Sequence, residues 1–397
     1  MKILQICTKV PYPPKDGGAA GIFVFSKAFA DLGHHVTILA VNPPKHFTDT
    51  SGFNFQNISF VPVPADTAPK FLHALSNLIF TRQPYHVSRF SDKRMKDALI
   101  TLLRSQPFDI IQLEGTYLGG LLTLIRKYTT AKVSLRAHNI EHQLWEDIAK
   151  SSKNIIKRCY LAIQSRRLKR FEIDLIKSTD CLIPVSPTDL ELLNAMVKSR
   201  SEVIPYGVNI QHEHSLQPYD GREDICFIGA LDWLPNQEGI IWFAEKVCPL
   251  LLIELPALKV HVAGRNAPIF LEKQLKQVPN IVFHGEIEDA SAFMQSYKAI
   301  VVPLFTGSGI RVKIIDALNY KLPVICTPKA SEGTALNHGQ HILCASDEFE
   351  FAQRIKELTT DNILANTLRE NGYQYVCNKY NSLALAHQML HFIVSHE

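Results

Sequence analysis

The feature of this chain that most restricts its fold is a rhythm that starts afresh halfway along. Short β-branched runs alternate with amphipathic stretches throughout. In the first half KILQIC, HVTILA, FDIIQL, AKVSLRA and DCLIPV read as buried strands. Between them lie helical patterns such as GIFVFSKAFADLG, closed by Gly33, and SDKRMKDALITLLRS, opened by Ser91 or Asp92. In the second half DICFIGA, LKVHVAG, NIVFHGE, AIVVPLF, PVICT and HILCA are separated by PNQEGIIWFAEKV and GIRVKIIDALNY. Short apolar runs alternating with helices predict parallel strands covered on both faces. The expected fold is α/β, with two doubly wound, Rossmann-like domains. The polar, turn-rich segment IPYGVNIQHEHSLQPYDGRED suits a linker, which puts residues 1–207 in one domain and 208–380 in the other. Residues 381–397 form one more amphipathic helix. Two such sheets direct their carboxyl ends at a crevice, where ligands of open α/β sheets bind.

The chain has 397 residues, 46% of them apolar and 20% charged, enough for large cores and unlike a disordered chain. Its start, MKILQICTKVPYPP, lacks the long apolar stretch of a secretory signal, and no window approaches a membrane span. A cytoplasmic protein is expected. The eight cysteines are scattered singly without a C-x-x-C pair, which removes the case for a zinc ribbon and suits buried thiols. A net charge of +4 gives no general argument for nucleic acid. The charge is concentrated between Lys150 and Lys177, where Ile155, Ile156, Tyr160, Ile163, Leu168, Phe171 and Leu175 recur at helical spacing among cations. This stretch reads as one amphipathic helix. It presents either a solvated basic face on a core-packed helix or a peripheral contact with an anionic membrane, at the inner face of the cell membrane.

Three loops face the expected crevice. After the first strand, Gly17 and Gly18 precede a helix start that offers free N–H groups; a plain turn explains them equally well. The G-x-G-x-x-G spacing of a nicotinamide site is absent. After AKVSLRA come His138 and Asn139. The imidazole either donates to a phosphate or sugar hydroxyl or is a satisfied structural group. The richest stretch is VPLFTGSGIRVKIIDALNY. Gly307 and Gly309 form a turn at a helix N-terminus, a geometry that holds phosphate with backbone amides. Arg311 and Lys313 stand where cations oppose the helix dipole, which makes sense if a diphosphate compensates them. Asp316 follows on the same helix, in reach of ribose hydroxyls. The alternative is a solvated basic helix start.

Taken in order, P-x-P-P-x-D-G-G, G-H-H-V, R-A-H-N-x-E-x-x-x-W, R-F-E…V-S-x-x-D, I-P-Y-G-V-N, F-I-G-A-L-D-W-x-P-N, V-A-G-R, H-G-E and G-S-G-I-R-V-K resemble the retaining glycosyltransferases of GT-B fold, family 4 or group 1. The resemblance spans nearly the whole chain. It implies that the terminal helix returns to the first domain. It also implies that Gly229 and Gly264 line the donor site, and that the backbone around His284, Gly285 and Ile287 frames the nucleobase. The family usually carries two glutamates at the positions of Ser308 and Asp316. This sequence looks like the subgroup with G-S-G-I-R-x-K in place of the first. Arg311 and Lys313 then take over the diphosphate from the missing Arg and Lys after the second domain's first strand. Glu332 matches a donor-contacting glutamate, His138 a group near the transferred sugar, and Gly18 and Glu114 the acceptor and phosphate side, with Asn139 beside them.

The function implied is transfer of a hexose-type sugar from a UDP- or GDP-sugar to a glycan or lipid-linked acceptor. Anomeric configuration would be retained, with His138, Arg311 and Lys313 as catalytic groups. No D-x-D occurs, so neither a metal nor another cofactor is expected. The rival readings are a catalytically silent nucleotide-sugar binder and a nucleotide-sugar epimerase using Glu114 with Glu141.

Overall fold

The computed structural model describes residues 1–14, 17–44, 47–152, 154–211, 219, 221–307 and 310–395. The chain forms two units, Met1–Gly207 together with Ser382–Glu397, and Val208–Asn381.

The first unit carries β1 (Lys2–Cys7), β2 (His35–Val41), β3 (Ile58–Val63), β4 (Ile110–Glu114), β5 (Lys132–Ala137) and β6 (Cys181–Pro184), in the spatial order β3-β2-β1-β4-β5-β6. All neighbours are parallel. The second unit carries β7 (Ile225–Ile228), β8 (Val260–Ala263), β9 (Ile281–Gly285), β10 (Ala299–Val302), β11 (Val324–Cys326) and β12 (Leu343–Cys344), in the order β12-β11-β10-β7-β8-β9. Counted from its own first strand, the second sheet repeats the order of the first. In each sheet the winding reverses beside the first strand, between β1 and β4 and between β7 and β10. Loops leaving such a pair diverge to opposite faces and leave a hollow at the carboxyl ends.

The strands read as continuous apolar runs because both faces are buried. In β1, Leu4 and Ile6 enter one core while Ile3 and Cys7 enter the other. The second core is closed by α1 (Gly17–Asp31) and, from the end of the chain, by α8 (Ser382–Val394), through Phe25, Phe29, Met389 and Ile393. The terminal helix thus does return to the first unit. Helix α1 stops where Gly33 takes φ 83° and His34 N–H donates to Phe29 O at 3.0 Å. Helix α3 (Lys93–Ser105) is opened by Asp92, whose carboxylate accepts from Met95 N at 2.9 Å; Ser91 is not the cap.

Two elements differ from the sequence expectation. Strand β3 escaped notice because it lies at an edge, pairs only with β2 and contains Pro62, which an edge tolerates. Helix α2 (Phe71–Phe80) was also unread. The helix expected between Lys150 and Lys177 is present as α5 (Ile155–Ser178), opened by Asn154, whose side chain accepts from Lys157 N at 3.0 Å; α4 (Glu141–Ser151) precedes it. No helix among the described residues is long and apolar enough to cross a membrane.

Candidate active site

In the second unit the hollow between β7 and β10 is bounded by α6 (Leu234–Trp242) and α7 (Val312–Asn319). The ends of β7, β8 and β9 are locked side by side. Gly229 N donates to Ala263 O at 3.2 Å and Gly264 N to Gly285 O at 2.7 Å. A Cβ on Gly264 would lie 2.0 Å from Gly229 O, so no side chain fits there. The result is a rim of bare backbone that a ligand can approach closely.

Lys313 reaches that rim from the first turn of α7. Its Nζ donates to Ile228 O at 2.7 Å and to Asn236 Oδ1 at 3.0 Å, and it lies 4.8 Å from the centre of the Phe227 ring. Burial, reinforced by the neighbouring Arg311 charge, brings its ammonium down to about 7. Arg311 is the residue that caps α7 rather than part of its first turn. It is 7% exposed, donates to Thr306 O at 3.3 Å and lies 5.6 Å from the centre of the Trp233 ring. Burial lowers its pKa, and the charge of Glu332 works against that. Gly307, at φ 96°, makes the turn that brings the chain to Arg311; a Cβ there would stand 3.2 Å from the indole of Trp233. Ser308 and Gly309 lie outside the described residues.

Asp316 sits one turn further along α7. Burial pushes its carboxyl up to about 7, and it has no hydrogen-bond or ion-pair partner among the described residues. It is a carboxyl poorly served by solvent, able to accept from ligand hydroxyls. Glu332 is exposed and ion-paired with Lys329 at 2.6 Å. The His284 ring is engaged elsewhere, 2.8 Å from His261, which is in turn 3.1 Å from Asp224. What His284 and Gly285 offer the rim is therefore backbone. Ile287 is half-buried in the otherwise exposed loop after β9. Sequence reasoning gave no role to Trp233 or Asn236, which hold Arg311 and Lys313. Their signal was the W-x-P-N helix start directly after the first strand of the unit.

In the first unit Gly17 and Gly18 are the exposed first two residues of α1. Glu114, at the end of β4, corrects the expectation that it meets a ligand. It is 2% exposed and accepts from Gln5 Nε2 at 3.0 Å and Gln112 Nε2 at 2.5 Å, with His138 Nε2 at 2.9 Å. Burial alone would raise its pKa; the His138 hydrogen bond and charge, Arg136 and Gln112 outweigh that and hold it below the usual carboxylate value. Arg136 is buried against the Phe25 ring, 3.8 Å from its centre, and burial takes it down to about 10. Glu114 therefore positions His138, which remains partly open to solvent. Asn139 is exposed beside it. Glu141 is buried, accepts from the Tyr117 hydroxyl and is pushed up to about 7 by desolvation. Both carboxylates of the epimerase reading are thus committed to internal donors.

Two family models match this chain, "Glycosyltransferase Family 4" over residues 15–212 and "Glycosyl transferases group 1" over residues 222–361. The chain belongs to this glycosyltransferase family. A Klebsiella pneumoniae relative of the enzyme, described as an uncharacterized 44.6 kDa protein in the cps region, is 23% identical over 390 residues, 96% of this chain and 97% of that one. Solved structures similar to this glycosyltransferase include sucrose-phosphate synthase from Thermosynechococcus elongatus, with TM-score 0.71 at 16% identity over 98% and 97% of the two chains. Anabaena HepE in complex with UDP-glucose gives TM-score 0.67 at 12% identity over 98% of each. At such identities the likeness speaks for the fold, which is GT-B.

Proposed function

We infer that the enzyme transfers a hexose-type sugar from a UDP- or GDP-sugar to a glycan or lipid-linked acceptor, with retention and without a metal. The observation that carries this reading is the second unit's rim, backbone with no room for side chains that Lys313 reaches, with Arg311 held nearby on Trp233 beside Gly307. A diphosphate suits such a place. Its oxygens would take amide and guanidinium hydrogen bonds, and its charge would repay the two cations for their burial. As the bond to the sugar breaks, negative charge grows on the leaving diphosphate, and preorganised donors stabilise it without a bridging ion. Asp316 would accept from the ribose. His138, held by Glu114, would hydrogen-bond the sugar or the reacting phosphate. The HepE complex with UDP-glucose supports the donor class by analogy of fold.

A thermal-shift series with UDP, GDP, ADP, CMP and NAD tests this. A ligand at about a hundred times its Kd stabilises by roughly 2.7 kcal/mol, a shift of a few degrees. One nucleoside diphosphate should shift the wild type, and Arg311→Ala should lose most of the shift while melting normally without ligand. A response to NAD alone, or to no nucleotide, would remove the donor reading. Stabilisation by a nucleotide sugar with no transfer to any acceptor would leave a silent binder.

A further inference from the structure

Helix α2 is oriented against the usual rule for a surface helix, which buries its apolar stripe. Phe71, Leu72, Leu75 and Ile79 recur at i, i+1, i+4 and i+8 and so share one face. That face looks outward: Phe71 is 80% exposed, Leu72 74% and Ile79 64%, with Phe80 at the helix end 80% exposed. Asn77, on the opposite face, is the residue that is buried. The orientation is fixed by polar bonds. Asn77 Nδ2 donates to Thr81 Oγ1 at 2.8 Å and Gln83 O at 3.1 Å. From α5, Arg167 donates to Asn77 O at 3.2 Å and Leu78 O at 2.8 Å. The helix cannot roll over to hide its apolar face without breaking these.

The neighbouring helix supplies charge. From its second turn onward α5 is buried through Leu161, Leu168 and Leu175, while its first turn leaves Ile155 and Ile156 in solvent at 76% and 82%. Lys157, Arg158, Arg166, Lys169 and Arg170 are exposed along it. Of its two acids, Glu172 is buried 2.6 Å from His142, which leaves Asp174 alone outside. Between α4 and α5 a cavity of about 350 Å³ is lined by Lys150, Arg158, Arg166 and Lys169, with Glu146 as its single acid and Ser165 at its wall. Helix α2 itself has no charged residue.

We propose that α2, α4 and α5 form one docking face for an anionic lipid bilayer, α2 embedding its apolar face at the acyl boundary and the α4–α5 cavity receiving a lipid phosphate. An apolar helix face exposed beside a cation-rich one is the composition that such an interface selects. Apolar area supplies insertion and the cations supply attraction to anionic headgroups. A protein partner for so apolar a helix would not require this concentration of cations next to it, whereas an anionic membrane uses both.

The test is co-sedimentation of the full chain with phosphatidylcholine vesicles, with and without phosphatidylglycerol. Two variants are compared with the wild type: Phe71→Ser, Leu72→Ser, Ile79→Ser, Phe80→Ser together, and Arg158→Gln, Arg166→Gln, Lys169→Gln, Arg170→Gln together. All eight positions are exposed, so matched melting curves are expected. The wild type should pellet with the mixed vesicles and not with phosphatidylcholine alone, and each variant should bind at least tenfold more weakly. In Phe71→Trp, indole emission should shift to the blue on adding mixed vesicles. Equal binding to neutral vesicles, or unchanged binding of the serine variant, would overturn the proposal. Self-association that the serine variant abolishes, without vesicle binding, would assign the face to a second copy of the chain instead.

Discussion

The hollow beside β1 and the hollow beside β7 occupy the same place in the same strand order, yet they are built from opposite chemistry. In the first unit a buried carboxylate is saturated by two glutamines and an imidazole, and only His138 at the edge of that network meets solvent. In the second, Lys313 bonds the backbone at the end of β7, Arg311 rests on Trp233, and a carboxyl one turn further along lacks a partner among the described residues. In the first hollow the carboxylate is served from within the protein, while Gln112 Oε1 and Arg136 Nε and Nη1 beside it find no partner among the described residues; in the second it is the carboxyl itself that has none. Topology sets where a site forms, and the residues at the strand ends decide whether it is self-sufficient.

The contrast can be broken most sharply at Glu114. Glu114→Ala leaves Gln5, Gln112 and His138 without their acceptor and removes the charge facing the buried Arg136, and should cost about 3–5 kcal/mol of stability in denaturant unfolding. Glu114→Gln should cost much less. Next comes Asp316, where the expected change is a gain. Its folded pKa of about 7 lies above its unfolded value, so its favourable contribution is present at low pH and is lost as pH rises through 7. Asp316→Asn should raise the stability of the unliganded protein by about 1–3 kcal/mol at roughly pH 8, no change being seen at about pH 4, while weakening nucleotide binding. The smallest effect belongs to Lys313. With its free pKa near 7, a bound diphosphate raises it, so affinity should be full below pH 7 and fall as pH rises through it. Titration calorimetry across that range should show a slope of less than tenfold per pH unit, and Lys313→Met should flatten it.

Much of the architecture was legible because strands buried on both faces leave unbroken apolar runs, and KILQIC or AIVVPLF has no other ready reading. Strand β3 was not legible, since an edge strand with Pro62 and mixed exposure carries no such run. FLHALSNLIF failed for another reason: its pattern says helix face, but pattern cannot say that the apolar side is the outer one, which depends on the bonds of Asn77 to Arg167 and Thr81. The span of α5 was legible in its apolar spacing, with Asn154 rather than Lys150 opening it. At the site, the glycines and Arg311 stood out by spacing. That Lys313 is spent partly on Ile228 O and Asn236, and that Glu114 faces inward, are facts of distance between remote segments that no local motif encodes.

The first unit is not contiguous, since its last helix lies beyond the whole of the second. During synthesis, Leu385, Met389 and Ile393 emerge only after the whole second unit, yet they belong to a core laid down by Ile3, Phe25 and Phe29 hundreds of residues earlier. The amino-terminal sheet thus waits with one flank uncovered while its neighbour folds. A chain cut at residue 380 would leave that apolar flank open to solvent, so the last helix decides whether the first unit is sealed.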